Sequence, residues 1–170
     1  MSSISIRLVR RDDEVEDVRR LLSEYREWLQ EHSLAAGVTP SVVAEGAERF
    51  AAEIHGLPGD YGPPGGALVL ARENETPIGC AALRRVDSAS AELKRLYVRT
   101  SYRRLQLGEG LTQALLEVAG RLGYSRVVLD TMPTMTAAIA LYRKMGFVSI
   151  PAYWPNPLQG ALFFEYLLRM

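Results

Sequence analysis

Between Arg99 and Gly110 the chain reads Arg99-Thr100-Ser101-Tyr102-Arg103-Arg104-Leu105-Gln106-Leu107-Gly108-Glu109-Gly110, a basic turn that runs straight into a helical pattern. Such a junction collects anions. The first backbone N–H groups of a helix lack partners inside it, and the macrodipole adds partial positive charge, so a phosphate placed there gains several hydrogen bonds. Arg103 and Arg104 add full charges. Gly108 and Gly110 on their own favour a plainer reading, a solvated surface turn in which a glycine eases the helix start. Elsewhere the residues of thiol and metal chemistry are scarce. A single cysteine, Cys80, cannot form an intrachain disulfide or a cysteine metal cluster, and two histidines, His32 and His55, leave little for imidazole ligation, so no metal is expected. Cys80 reads as a small buried hydrophobe.

The rest of the chain has to position that turn. Its 170 residues carry 20 Lys+Arg against 20 Asp+Glu and are 48% hydrophobic, the composition of one globular domain. Zero net charge removes the whole-domain footprint of a protein that holds nucleic acid or anionic membrane mainly by charge. No apolar run approaches the roughly 20 residues that cross a bilayer. Residues 1–11 alternate Ile4, Ile6 and Leu8 with polar residues and lack the apolar core of a signal peptide, so a cytoplasmic location is expected.

Hydrophobic spacing predicts a strand over Ile4–Val9, then a long helix carrying Val15, Val18, Leu21, Leu22, Tyr25, Trp28 and Leu29 on one stripe, capped by Asp12 or Asp13. Thr39-Pro40 suits the opening of a second helix that closes at Gly56, and Leu57–Gly66 is dense in breakers and reads as loop. Ala67–Arg72, Ile78–Val86 and Glu92–Val98 form an antiparallel meander, with Pro77 in the first turn. A helix through Leu111, Leu115, Val118 and Leu122, the strand Val127-Val128-Leu129, and a helix from Thr136 to Met145 follow. Strand, helix, strand at this length is a right-handed crossover between parallel strands. Phe147–Ile150 and Leu162–Leu168 end the chain as strands. The expected fold is α/β, a mixed, mostly antiparallel sheet with helices on both faces. A dinucleotide-binding fold fits poorly, because no Gly-x-Gly-x-x-Gly follows an early strand.

The segment Arg103-Arg104-Leu105-Gln106-Leu107-Gly108 resembles the Arg/Gln-x-x-Gly-x-Gly/Ala signature of the GNAT superfamily of N-acyltransferases. Glu92-Leu93-Lys94-Arg95-Leu96-Tyr97-Val98 is similar to the family's strand before that signature. Ala138–Phe147 is similar to its C-terminal helix and following strand. The resemblance covers nearly the whole chain, although the first 60 residues match only in element order. It departs at Gln106, where the signature has its first glycine, and at Arg104, commonly glycine as well. A β-carbon at Gln106 crowds a phosphate approaching the main chain, which points to weaker cofactor affinity. Arg104 can compensate by a charge-assisted contact, whereas Glu109 opposes a bound phosphate.

For a member of this family the resemblance implies acetyl-CoA as co-substrate. Its pyrophosphate would lie on the turn formed by Arg103, Arg104, Leu105, Gln106, Leu107, Gly108 and Glu109, and its pantetheine arm along Leu96, Tyr97 and Val98. The strands Glu92–Val98 and Val127–Leu129 would splay, freeing backbone groups for the pantetheine amides, and the N–H of Leu96 or Val98 would stabilise the developing oxyanion. Glu92 stands where some members carry the general base; an exposed strand glutamate paired with Lys94 or Arg84 accounts for it nearly as well. Tyr142 stands where the family's helix often carries a tyrosine that protonates or hydrogen-bonds the CoA sulfur, and a helix tyrosine packed beside Leu141 with its hydroxyl in water is the alternative. Thr136 is near a position where many relatives contact CoA through asparagine.

The acceptor is less legible. Lys94-Arg95 with Arg84 and Arg85 could line a site that prefers an acidic group beside an amine, as in an amino acid or short peptide, although solvated faces explain such runs more often. Tyr25, Trp28, Tyr61, Tyr153 and Trp154 are pocket or core. The expected activity is direct transfer of acetyl to a primary amine, and the alternative is a catalytically silent acyl-CoA-binding domain. Homodimers are common among relatives, an analogy only.

Overall fold

The computed structural model describes residues 2–169. Strand β1 (Ile4–Leu8) is followed by helices α1 (Asp12–Ala35) and α2 (Pro40–His55), strands β2 (Ala67–Glu73), β3 (Thr76–Arg85) and β4 (Ser90–Val98), and helix α3 (Leu107–Arg121). Strand β5 (Arg126–Thr131), helix α4 (Thr136–Met145) and strands β6 (Val148–Ile150) and β7 (Leu162–Leu167) complete the order. One seven-stranded sheet runs β1-β2-β3-β4-β5-β7-β6. Every neighbouring pair is antiparallel except β4 with β5.

Alternation along the strands separates two cores. Leu68, Leu70, Cys80, Ala82 and Tyr97 point to one face, where Val18, Leu21 and Leu22 of α1 and Phe50 and Ile54 of α2 cover them. Val69, Ala71, Ala81, Leu83, Ala91 and Leu93 point to the other, against Leu111, Leu115 and Ala119 of α3 and Ile139 and Tyr142 of α4. Burying aliphatic side chains of this size is favourable by roughly 1.5–3 kcal/mol each before entropy is counted.

Two local expectations are corrected. Arg11, not Asp12 or Asp13, is the N-cap of α1. Glu14 reaches back instead, its Oε2 accepting from the N–H groups of Arg10 (2.9 Å) and Arg11 (3.1 Å), which leaves the two aspartates in the first turn where the helix dipole favours them. Pro77 lies inside β3 rather than in the turn before it. It stands opposite Arg72 beside a register shift at Ala71/Arg72, a place where a missing N–H costs the ladder nothing. Thr39 and Pro40 open α2 and Gly56 closes it, as the sequence predicts.

The sheet is built to come apart in its middle. β4 and β5 pair only at Ser90↔Arg126, Ala91↔Val127 and Glu92↔Val128; Leu93–Val98 and Leu129–Thr131 run on without each other. Each keeps its outer partner, β3 for β4 and β7 for β5. The cause lies in β4, where the register slips so that Arg95 and Leu96 together oppose Ala81. Arg95 takes a left-handed φ of 60°. A bulge of this kind bends its strand and adds twist, carrying the end of β4 away from β5.

Candidate active site

The end of β4 leads through Arg99 into a 3-10 turn over Thr100–Leu105 and then into α3. Gln106 joins the two in the left-handed conformation, φ 56° and ψ 23°, and no side chain caps the helix. The first intrahelical-type bond is Gly110 N–H to Gln106 C=O at 3.2 Å, so the N–H groups of Leu107, Gly108 and Glu109 have no acceptor in the helix. Arg104, Leu105 and Gln106 are exposed and Leu107 is buried as the anchor. The geometry is that of an anion cradle.

Its charges are sorted by neighbouring elements. Lys144 of α4 bonds Glu109 at 2.6 Å, which neutralises the carboxylate that would otherwise oppose an anion. Arg103 is turned away from the helix start: its Nε donates to Val98 C=O at 3.2 Å and its guanidinium lies 5.1 Å from the Trp28 ring centre. Arg104 has no ion pair among the described residues and is the cation left at the turn. Gly108 and Gly110 serve packing: a β-carbon would sit 3.2 Å from Leu141 Cδ2 at the first and 2.6 Å from Ile6 Cδ1 at the second.

In the split between β4 and β5, side chains and backbone have separate uses. Tyr97 is buried and stacks on Tyr25 at 5.2 Å, while Leu96 and Val98 pack on the α3 side. Tyr142 of α4 is buried, its ring 5.5 Å from Phe147 and 6.5 Å from Phe164. Burial pushes its hydroxyl well above the ordinary tyrosine value, and Tyr25 and Asp130 push it the same way. Thr136 is the exposed first residue of α4.

Glu92 is buried at 3% exposure, which overturns the reading as an exposed strand glutamate while keeping its partner. Its Oε2 accepts from Arg84 Nε (3.2 Å) and Nη2 (3.0 Å). Its Oε1 lies 3.8 Å from Lys94 Nζ and is buried without a hydrogen bond, as is the Tyr153 hydroxyl. Burial raises Tyr153 far above its usual value, and the Glu92 and Asp130 charges raise it further, so this hydroxyl stays protonated beside the carboxylate.

Beyond the split lies a cavity of about 280 Å³, walled by α1, α2, the middle of β4, Asp130 and Met132, and the loop Trp154–Leu158. Of the residues weighed for an acceptor site, Tyr25, Lys94, Arg95 and Trp154 line it. The others are used elsewhere. Arg84 is held by Glu92, Arg85 lies beside Tyr124 (3.2 Å to its hydroxyl), Tyr61 donates to Glu53 at 2.5 Å, and Trp28 stacks on His32 at 4.7 Å. Sequence reasoning missed Asp130, whose Oδ2 accepts from Trp154 Nε1 (2.7 Å) and Asn156 Nδ2 (2.8 Å). A carboxylate ending the apolar run Val127-Val128-Leu129 was the available signal.

Among the described residues, no three His, Cys, Asp or Glu side chains converge as metal ligands do, and no helix is long and apolar enough to cross a membrane. The family model of the GNAT acetyltransferases matches residues 22–147. An uncharacterised N-acetyltransferase of Schizosaccharomyces pombe is 34% identical over 164 residues, covering 95% of this chain and 93% of its own. Among solved structures, the PaiA N-acetyltransferase of Thermoplasma acidophilum, in complex with coenzyme A, superposes with a TM-score of 0.75 at 19% identity, over 97% of this chain and 99% of its own. A GNAT-family acetyltransferase of Staphylococcus aureus reaches 0.73 at 19% identity, over 98% and 100%. A family match over most of the length and a full-length relative above 30% identity agree with the shared fold, and the chain belongs to the GNAT family of N-acetyltransferases.

Proposed function

We propose that the protein transfers the acetyl group of acetyl-CoA to a primary amine by direct attack, with both substrates held at once. The observation that carries this reading is the β4 edge left without β5 beyond Glu92, leading through one short turn to the uncapped amides of α3, with a cavity lined by both β4 and β5. The residues present fit the cofactor: free amides at Leu107, Gly108 and Glu109, an unpaired Arg104, a neutralised Glu109, and the open edge of Leu96, Tyr97 and Val98. Arg103 takes part through its main chain, and Thr136 stands at the rim. When bound, acetyl-CoA supplies the acetyl group as an activated thioester. The amide of Leu96 or Val98 is placed to stabilise negative charge on the carbonyl oxygen.

Glu92 Oε1, the carboxylate oxygen without a donor, accepts the proton of the incoming ammonium through an intervening water, and the Tyr142 hydroxyl returns a proton to the departing sulfur. An acyl-cysteine route has no nucleophile on this chain. Cys80 is 1% exposed, burial raises its thiol well above the usual range, and its Sγ faces Arg95 C=O at 3.9 Å. Reactive cysteines need the reverse environment.

Glu92→Gln preserves the acceptor oxygen for Arg84 while removing the base. With a thiol-release assay, kcat/KM at pH 7 is expected to fall about tenfold. The deficit should shrink as pH approaches about 10, where an amine deprotonates unaided; an equal deficit at every pH would show that Glu92 is not the base. Gln106→Gly is expected to tighten coenzyme A severalfold in calorimetric titration. Glycine takes a left-handed φ without the roughly 1 kcal/mol that a side chain adds, and it uncovers the main chain. An unchanged or weaker affinity would place the pyrophosphate away from this residue.

A further inference from the structure

The cavity beyond the split carries a charge imbalance that the transfer reaction does not use. Four cations, Arg26, Arg49, Lys94 and Arg95, and one carboxylate, Asp130, line it. Arg95 is neutralised by Glu53, which accepts from its Nε at 2.8 Å and its Nη2 at 2.6 Å. The other three have no carboxylate of their own. Arg26 spends its Nε on Ala47 C=O at 2.8 Å and keeps the rest of its guanidinium, and Arg49 stands exposed at the rim with no ion pair among the described residues. Lys94 has only Glu92, 3.8 Å away and already held by Arg84. Its side chain is 18% exposed. Burial and the adjacent Arg95 both depress its proton affinity, the mark of an ammonium short of solvent and of a partner. A buried cation left in that state is costly unless something supplies the missing anion.

We propose that the acceptor is a small primary amine that also carries an anionic group, carboxylate or phosphate, bound by Lys94 together with Arg26 and Arg49. Its amine is directed to the opposite wall, where Asp130 borders the split. There Oδ2 is fixed by Trp154 and Asn156, which orients the carboxylate while leaving Oδ1 free to accept from the amine. Lys94 on β4 and Asp130 on β5 stand on the two flanks of the opening, so a molecule bridging them presents its nitrogen where the strands part. The cavity volume is near the lower end for small-molecule sites, about 300 Å³, which suits a metabolite better than a polypeptide chain.

This assignment rests on the acetyl-transfer reading, and a binding measurement separates the two. Matched pairs are titrated calorimetrically into the full chain with coenzyme A present: an α-amino acid against its carboxamide, and an aminoalkyl phosphate against the amino alcohol. In at least one pair the anionic member is expected to bind tenfold or more tightly than its neutral partner. The pair that shows it distinguishes carboxylate from phosphate. Lys94→Gln should abolish the preference and Lys94→Arg should keep it, with the coenzyme A titration of both variants reporting an intact fold. If no anionic member binds more tightly than its neutral partner, or if Lys94→Gln retains the preference, the inference is overturned. Failure of coenzyme A to bind would instead count against the reaction, since the acceptor titrations can be run without it.

Discussion

Replacing Tyr142 by phenylalanine is expected to lower kcat by about 100-fold, within the range for loss of a positioned proton donor. Coenzyme A affinity and melting temperature should stay near those of the parent. The second part follows from packing. The ring contributes its contacts with Phe147 and Phe164, which phenylalanine reproduces, and no described group hydrogen-bonds the hydroxyl, so none is orphaned. The first part follows from the role proposed for the hydroxyl as proton donor to the departing sulfur. Burial raises the hydroxyl, so the neutral, proton-bearing form persists throughout the working range. The alkaline limb of the rate profile should therefore not come from this tyrosine. Stopped-flow and steady-state thiol release would check both parts, and a variant with unaltered kcat would leave the sulfur without its assigned donor.

The second large effect concerns stability. Glu53 of α2 holds Arg95, whose guanidinium also lies 3.9 Å from the Phe50 ring centre, and accepts from Tyr61 at 2.5 Å. These contacts fasten α2, one wall of the acceptor cavity, to the bulge that opens the sheet. Glu53→Ala strands Arg95, whose side chain is 19% exposed, and is expected to cost about 3 kcal/mol. Acid should erase the difference. Burial tends to raise the Glu53 carboxyl, but bonds and charge from Arg95, with the Tyr61 hydroxyl, outweigh it and hold it below its ordinary 4.5. A carboxyl depressed by folding contributes stability above its unfolded value and loses it as pH falls through the folded one. Denaturant melts of parent and variant should thus differ most near pH 7 and converge as pH falls below the depressed folded-state value of Glu53. A constant gap would mean that Glu53 acts through packing alone.

The elements that punctuate themselves were legible. Thr39-Pro40 and Gly56 bound α2, and Thr136–Met145 followed by Gly146 bound α4, because caps and breakers act within a few residues. The anion cradle was readable for the same reason. The bulge at Arg95 was not, since an arginine carries no local preference for a left-handed φ; its bond to Glu53, far off in sequence, holds it there. Nor could the turn show that Arg103 faces Trp28, or that Lys144 removes the Glu109 charge, both being contacts between elements. Asp130 escaped notice because Trp154 and Asn156, which give it a place on the cavity wall, return to it only after α4 and β6.

Amide chemical-shift mapping during titration with coenzyme A tests the account at its centre, the main-chain seat formed by the parted strands and the start of α3. The N–H signals of Gln106, Leu107, Gly108 and Glu109 and of Leu96–Val98 should move most, with smaller changes beyond α1 and α2. Saturating coenzyme A that leaves those amides unmoved while shifting others would contradict it.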